Sequence, residues 1–122
     1  MPRSVASTLP LDVFEGTPII ACVRCRTWIT VPAAAIDVAG AHRHERENPA
    51  GIRFRFACFA NARALRAHGN ASREFTWFPG YVWQVQICDG CQEHLGWMFA
   101  TADHRFHGLI LDRLVEIDAP PA

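Results

Sequence analysis

Lysine is missing from this chain of 122 residues, and all twelve basic side chains are arginine. Twelve acids balance them, so the formal net charge is zero. With no surplus positive field, neither nucleic acid nor an anionic membrane is expected as a partner. The arginines run from Arg3 to Arg113 without gathering into a patch, so they read as the default cation of the composition and not as a phosphate cluster. Long apolar runs are missing too. No segment approaches the roughly 20 apolar residues of a membrane span. The opening "MPRSVASTLPLDVFEGTPII" is interrupted by Asp12, Glu15 and Gly16 before it reaches signal-peptide length. Repeats and low-complexity blocks are also lacking. These absences point to a cytoplasmic, reducing setting, where paired cysteines mean metal or redox chemistry more often than disulfides.

What is present is ordinary in bulk: 50% hydrophobic residues and 20% charged ones. The length predicts one domain, placed at 18–117, after an irregular lead-in over 1–17 and before a frayed tail over 118–122. "PIIACVRC" reads as a strand entering a cysteine pair and "TWITV" as a strand leaving it. Residues 40–51, "GAHRHERENPAG", read as a long polar loop. In "IRFRFACF", Ile52, Phe54 and Phe56 alternate with Arg53 and Arg55, the period of a half-buried strand. "ANARALRAHG" has helix-forming composition and a terminal Gly69, which predicts a short helix. "FHGLIL" is strand-like and a turn follows near Asp112. The sum is mainly β, in many short strands.

Five cysteines are present, and four of them stand in two identical spacings, Cys22-x-x-Cys25 and Cys88-x-x-Cys91. A Cys-x-x-Cys knuckle sets two thiolates on one side of a tight turn, along one edge of a tetrahedron. Two knuckles complete a closed four-thiolate zinc site, structural rather than catalytic. Gly90 is expected to ease the second turn. Two disulfides or a redox pair are the alternatives. The fifth cysteine, Cys58, lies among Phe56, Ala57 and Phe59, and apolar surroundings make a thiol inert. His42 and His44 read as solvated loop residues, and His68, His94, His104 and His107 form no pattern.

Three of the four tryptophans fall in "WFPGYVWQVQICDGCQEHLGWMF". Pro79-Gly80 suits a type II turn, which brings Trp77 back toward Trp83. "WQVQI" and "HLGWMF" alternate on either side of the second knuckle. Paired as a hairpin, they set Trp83 and Trp97 opposite each other to within a residue, facing the same way. Two readings stay open here. The rings could pack a core, or they could wall a pocket for a flat or cationic guest, since each buried indole N–H needs a partner. A methyl-ammonium cage normally adds a carboxylate, and Glu74, Asp89 and Glu93 are near in sequence.

The pieces "CVRC", "NPAG", "EFTWFPGYVWQVQICDGC", "HLGWMF" and "FHGLILDRL" resemble, in order and spacing, the thalidomide-binding (CULT) domain of the cereblon family, in its single-domain bacterial form. The resemblance covers roughly residues 20–116. It implies a β-tent: two antiparallel β-sheets pinned by a structural Zn2+ on Cys22, Cys25, Cys88 and Cys91. It implies a cage of Trp77, Trp83 and Trp97 with Phe99 as floor. In that cage the Phe75 and Trp77 backbones bind the edge of a cyclic imide, and Asn48 closes over the guest. Expected ligands are glutarimide or thalidomide-type and uracil-like rings, or the C-terminal cyclic imide of a damaged protein. Phe75 stands where the vertebrate family member has histidine, so only the main-chain contact carries over. Ubiquitin-ligase partners are not expected from this chain alone. The function implied is a non-enzymatic binding module. The alternatives are a methyl-lysine or betaine cage and an enzyme resembling methionine sulfoxide reductase B, for which Cys58 is the only free thiol.

Overall fold

A computed structural model describes residues 13–120; residues 1–12 of the lead-in over 1–17, and the last two tail residues, lie outside it. Among the described residues there are nine strands and no α-helix. In chain order they are β1 (Pro18–Cys22), β2 (Trp28–Thr30), β3 (Arg43–Glu47), β4 (Arg53–Phe59), β5 (Leu65–Ser72), β6 (Val82–Cys88), β7 (His94–Ala100), β8 (Arg105–Ile110) and β9 (Leu114–Asp118). They form a three-stranded sheet, β2-β1-β9, and a six-stranded sheet, β3-β4-β8-β7-β6-β5. Every strand pairing is antiparallel. The expectation of a mainly β chain with two antiparallel sheets holds. No helix among the described residues is long and apolar enough to cross a membrane.

The period-2 geometry of the large sheet separates two cores. In β4, Ala57 and Phe59 join Ile19, Ile29, Leu95 and Leu109 between the sheets. Phe56 and Cys58 face the other way, into an aromatic cluster with Phe78, Trp97, Phe99 and Phe106. Two glycines make this packing possible. A Cβ on Gly96 would run into the Gly108 carbonyl oxygen, and one on Gly108 would lie 2.9 Å from Phe99 and 3.0 Å from Phe56. Neither contact leaves room for a methyl group.

Three local expectations are corrected. The polar loop over 40–51 has strand β3 at its centre, at one edge of the large sheet, with turns on either side. Its "RHERE" buries His44 and turns Arg43 and Glu45 to solvent, and charged side chains are what protect an exposed edge. The helix suggested by "ANARALRAHG" is instead irregular chain followed by β5, the opposite edge strand, which pairs with β6 from Leu65 to Ser72. Helix propensity is a weak preference, and pairing with a neighbouring strand overrides it. The tail begins later than expected: Asp118 pairs with Pro18, while Ala119 is buried and bonded to Thr17.

One partly buried polar pair on the large sheet has a measurable consequence. His107 Nδ1–H donates to Gln86 Oε1 at 2.7 Å, and burial first, then Arg105, pushes the histidine pKa down to about 4. A depressed histidine pKa means that the unfolded chain binds the proton more readily. The stability it confers is complete above about pH 6.5 and is lost as the pH falls toward 4. Urea titrations at pH 7.5 and pH 5 should therefore differ by about 2 kcal/mol from this group. His107→Gln should shrink the difference by that amount, and an unchanged pH dependence would refute the assignment.

Candidate functional site

The two knuckles are built alike. Cys22 N–H donates to Thr27 O at 2.9 Å and Arg26 N–H donates to Cys22 O at 2.8 Å. In the second knuckle, Cys88 N–H donates to Glu93 O at 2.8 Å and Gln92 N–H to Cys88 O at 2.7 Å. The residue after the second cysteine is left-handed in both, Arg26 at φ 66° and Gln92 at φ 67°. Because one knuckle ends β1 and the other ends β6, their meeting joins the two sheets.

The four Sγ atoms of Cys22, Cys25, Cys88 and Cys91 lie within 4.8 Å of one another. Cys22 and Cys91 are 3.6 Å apart, and Cys25 and Cys88 3.5 Å. A disulfide needs about 2.05 Å. Sulfurs at about 2.3 Å from a tetrahedral metal ion stand about 3.8 Å from each other. The spacing therefore suits four thiolates sharing an ion. The Thr27 hydroxyl, 3.0 Å from the Cys25 sulfur, is the main cause that draws that thiol down to about 6, and the Gly90 N–H donates to the Cys88 sulfur at 3.3 Å. Gly90 itself does not need a positive φ, contrary to the turn-based expectation. It is needed because a Cβ there would strike the Thr27 hydroxyl and sit 3.1 Å from the Cys25 sulfur. Cys58 has no part in the cluster. It is fully buried, and burial pushes its thiol up to about 12.

The second constellation is a cleft of about 320 Å³ on the aromatic face of the large sheet. Trp77, Trp83, Trp97 and Phe99 line it, with Phe75 and Asn48 also bordering it. Phe99, 1% exposed, and Trp97, 6% exposed, are its deepest members. The β6–β7 register departs from the expected one. Trp83 pairs with Phe99 and Val85 with Trp97, so the two indoles are diagonal neighbours, two residues apart. An irregularity between Gln86 and Ile87 produces this offset. The Pro79-Gly80 turn forms as expected: Tyr81 N–H donates to Phe78 O at 3.0 Å, and Gly80 has φ 89°.

The walls are held from behind and from the side. Trp77 stacks on Phe56, with centroids 5.4 Å apart, and meets Trp97 edge to face at 4.9 Å. Its indole N–H donates to Glu47 O at 3.2 Å, and that of Trp83 donates to Glu74 O at 2.7 Å. The N–H groups of these two rings are therefore satisfied at the margin of the cleft, leaving the indole faces apolar. Asn48 is used differently from a simple lid. Its Oδ1 accepts from the N–H groups of Ala50 and Ile52, at 3.0 and 2.9 Å, which ties the β3–β4 turn together.

The connection from β5 to β6, residues 73–81, carries unused backbone next to the cleft. Among the described residues, nothing hydrogen-bonds the backbone N–H or C=O of Phe75 or Trp77. Phe75 also has φ 59°, a left-handed conformation that costs a side-chain-bearing residue about 1–2 kcal/mol.

Sequence reasoning missed four lining residues: Pro49, Phe54, Val85 and His94. Val85 shares the face of Trp83 by simple alternation, and that alternation was its signal. His94 was invisible because the knuckle shifts the register beneath it. Its Nε2–H donates to Gly96 O at 3.1 Å. Burial first, and Arg113 second, lower its pKa and so favour the neutral form of the ring, which meets Trp97 edge to face at 5.1 Å.

No family model matches the chain. Curated relatives do match over part of it: cereblon from Drosophila grimshawi is 48% identical over 42 residues, 34% of this chain and 6% of that protein. Cereblon from Drosophila virilis is 45% identical over 42 residues, 34% of this chain and 7% of that protein. Cereblon from Drosophila pseudoobscura pseudoobscura is 38% identical over 53 residues, 39% of this chain and 9% of that protein. The chain thus spans less than a tenth of the length of these relatives. Among solved structures, the Mis18 "Yippee-like" domain superposes with a TM-score of 0.57 at 13% identity, covering 84% of this chain and 96% of that one. That likeness concerns the fold alone. Over about a third of its length the chain is similar to cereblon at 38–48% identity, and its two-sheet fold with four clustered cysteines is consistent with a cereblon-like CULT domain.

Proposed function

We propose that the protein is a non-enzymatic binding module whose aromatic cleft takes a cyclic imide, on a scaffold pinned by a structural zinc ion. The observation that carries this reading is the pairing of an indole-walled cleft with unused backbone donors and acceptors at Phe75 and Trp77. A glutarimide matches both halves. Its methylene side is apolar and suits indole faces, while its imide edge presents acceptor, donor and acceptor, which need protein partners if desolvation is not to oppose binding. Eight non-hydrogen atoms at about −0.7 to −1 kcal/mol each correspond to a Kd between about 0.1 mM and about 1 µM. A uracil-like ring carries the same edge, as does the C-terminal cyclic imide of a damaged protein.

The competing readings fit less well. A methyl-ammonium guest calls for a carboxylate, and no Asp or Glu side chain lines the cleft among the described residues. A reductase calls for a reactive thiol, and the only cysteine outside the cluster is Cys58, buried and held protonated. Zinc is the proposed ion because four thiolates in closed tetrahedral spacing are its preferred structural set. The cytoplasm, as a reducing compartment, would keep those thiols free for it. Neither nucleic acid nor membrane is a proposed partner, and no ubiquitin-ligase partner is proposed for this chain alone.

Two measurements check these assignments. Titration of the tryptophan fluorescence should give saturable quenching with glutarimide and uridine but not with trimethyl-lysine. Trp83→Ala should weaken glutarimide binding about 30-fold, equivalent to about 2 kcal/mol for a lost aromatic wall. Quenching by the trimethylated cation alone would overturn the imide reading. For the metal, atomic spectroscopy should find one zinc per chain. Its removal by a chelator should lower the Tm by about 15 °C or more, and a metal-free protein that melts at the same temperature would refute a structural role.

A further inference from the structure

Phe75 is unexplained by the fold. It is 69% exposed, and its ring makes no aromatic contact with any described residue. Its backbone is nonetheless held left-handed at φ 59°, a region that disfavours a large side chain. A glycine at this position would relieve both the backbone strain and the exposure of apolar surface.

The strain is imposed from both sides. Before Phe75, Glu74 N–H donates to the Ser72 hydroxyl at 3.0 Å, and Glu74 O accepts the Trp83 indole N–H at 2.7 Å. After it, the Thr76 hydroxyl donates to Phe78 O at 3.2 Å. With its neighbours fixed, the left-handed turn sets the Phe75 ring at the border of the cleft. Pro49, from the β3–β4 turn, is another apolar residue on that border. Strained backbone combined with an unpartnered aromatic at a site mouth points to a ligand contact rather than to packing.

Building on the imide reading, we infer that Phe75 is a specificity-determining residue whose ring receives a second, apolar group carried next to the imide. The preferred ligands are therefore substituted imides, with a flat or apolar substituent leaving the ring at the cleft mouth. A bare ring occupies only the indole-walled part. A chain ending in a cyclised residue fits when the residue before it is apolar, and one with a charged residue there gains nothing from Phe75.

The test compares three ligands by calorimetry: glutarimide, 3-acetamidoglutarimide and 3-(phenylacetamido)glutarimide. In the wild type, the phenylacetyl compound should bind about 10-fold tighter than the acetyl compound, the advantage of a desolvated aromatic contact. The ratio should fall to about 2-fold or less in Phe75→Gly, which keeps the left-handed backbone, and should persist in Phe75→Trp, which restores an aromatic face. The Tm of Phe75→Gly should equal or exceed that of the wild type. A ratio unchanged in Phe75→Gly, or already below 2-fold in the wild type, overturns this inference while leaving imide binding intact. A lowered Tm with the ratio preserved assigns Phe75 a structural role and also overturns it. Failure of all three compounds to bind removes the imide reading together with this one.

Discussion

The contact on which this molecule turns is the meeting of four sulfurs from two knuckles 62 residues apart in the chain, between Cys25 and Cys88. One knuckle closes the small sheet at the end of β1, and the other closes the β6–β7 hairpin of the large sheet. Joining them brings the sheets together over a shared aliphatic core and closes a long loop, which is where a cross-link opposes the most chain entropy. The same knuckle that supplies Cys88 and Cys91 also starts the hairpin bearing Trp83 and Trp97. Scaffold and cleft are therefore parts of one mechanical unit. A disturbance at the sulfurs would be felt in the register of the indoles.

The cleft stays open because its walls are supported by something other than each other. Phe56 backs Trp77, and the Phe99 ring stacks on Phe106 at 5.1 Å. Glycine at 108 admits the Phe56 and Phe99 rings to the layer beneath. Carbonyls of Glu47 and Glu74 fix the outer indoles by their N–H groups. Such support means that little side-chain entropy remains to be lost on binding, which favours affinity for a small guest. The unused backbone at Phe75 and Trp77 adds direction to what would otherwise be a greasy hollow.

Much of this was legible in the residues. Repeated Cys-x-x-Cys spacing, the Pro79-Gly80 turn and alternating apolar positions in β6 and β7 each have a short-range physical cause, so they survive as written. The edge strands were not legible. β3 and β5 have one sheet neighbour each and carry charge on their exposed sides, so their composition resembles a loop and a helix respectively. The register between Trp83 and Trp97 was also hidden, because an irregularity at Gln86 and Ile87 breaks the count of two. Gly90 and Gly96 were recognisable as glycines but not for their reasons, since Thr27, Cys25 and Gly108 reach them only after folding. Phe54 and His94 enter the cleft from β4 and from beyond the knuckle, contacts that no local pattern contains.

The most direct test of the account uses the fourth tryptophan as an internal reference. Trp28 lies in the small sheet, with its N–H donated to Thr30 O at 3.1 Å and Arg63 over its ring at 4.4 Å. In a nitrogen-15-labelled sample at saturating glutarimide, the indole N–H resonances of Trp77, Trp83 and Trp97 should move while that of Trp28 stays in place. Three unmoved cleft resonances, or a Trp28 shift as large as theirs, would contradict the claim that these indoles enclose the guest.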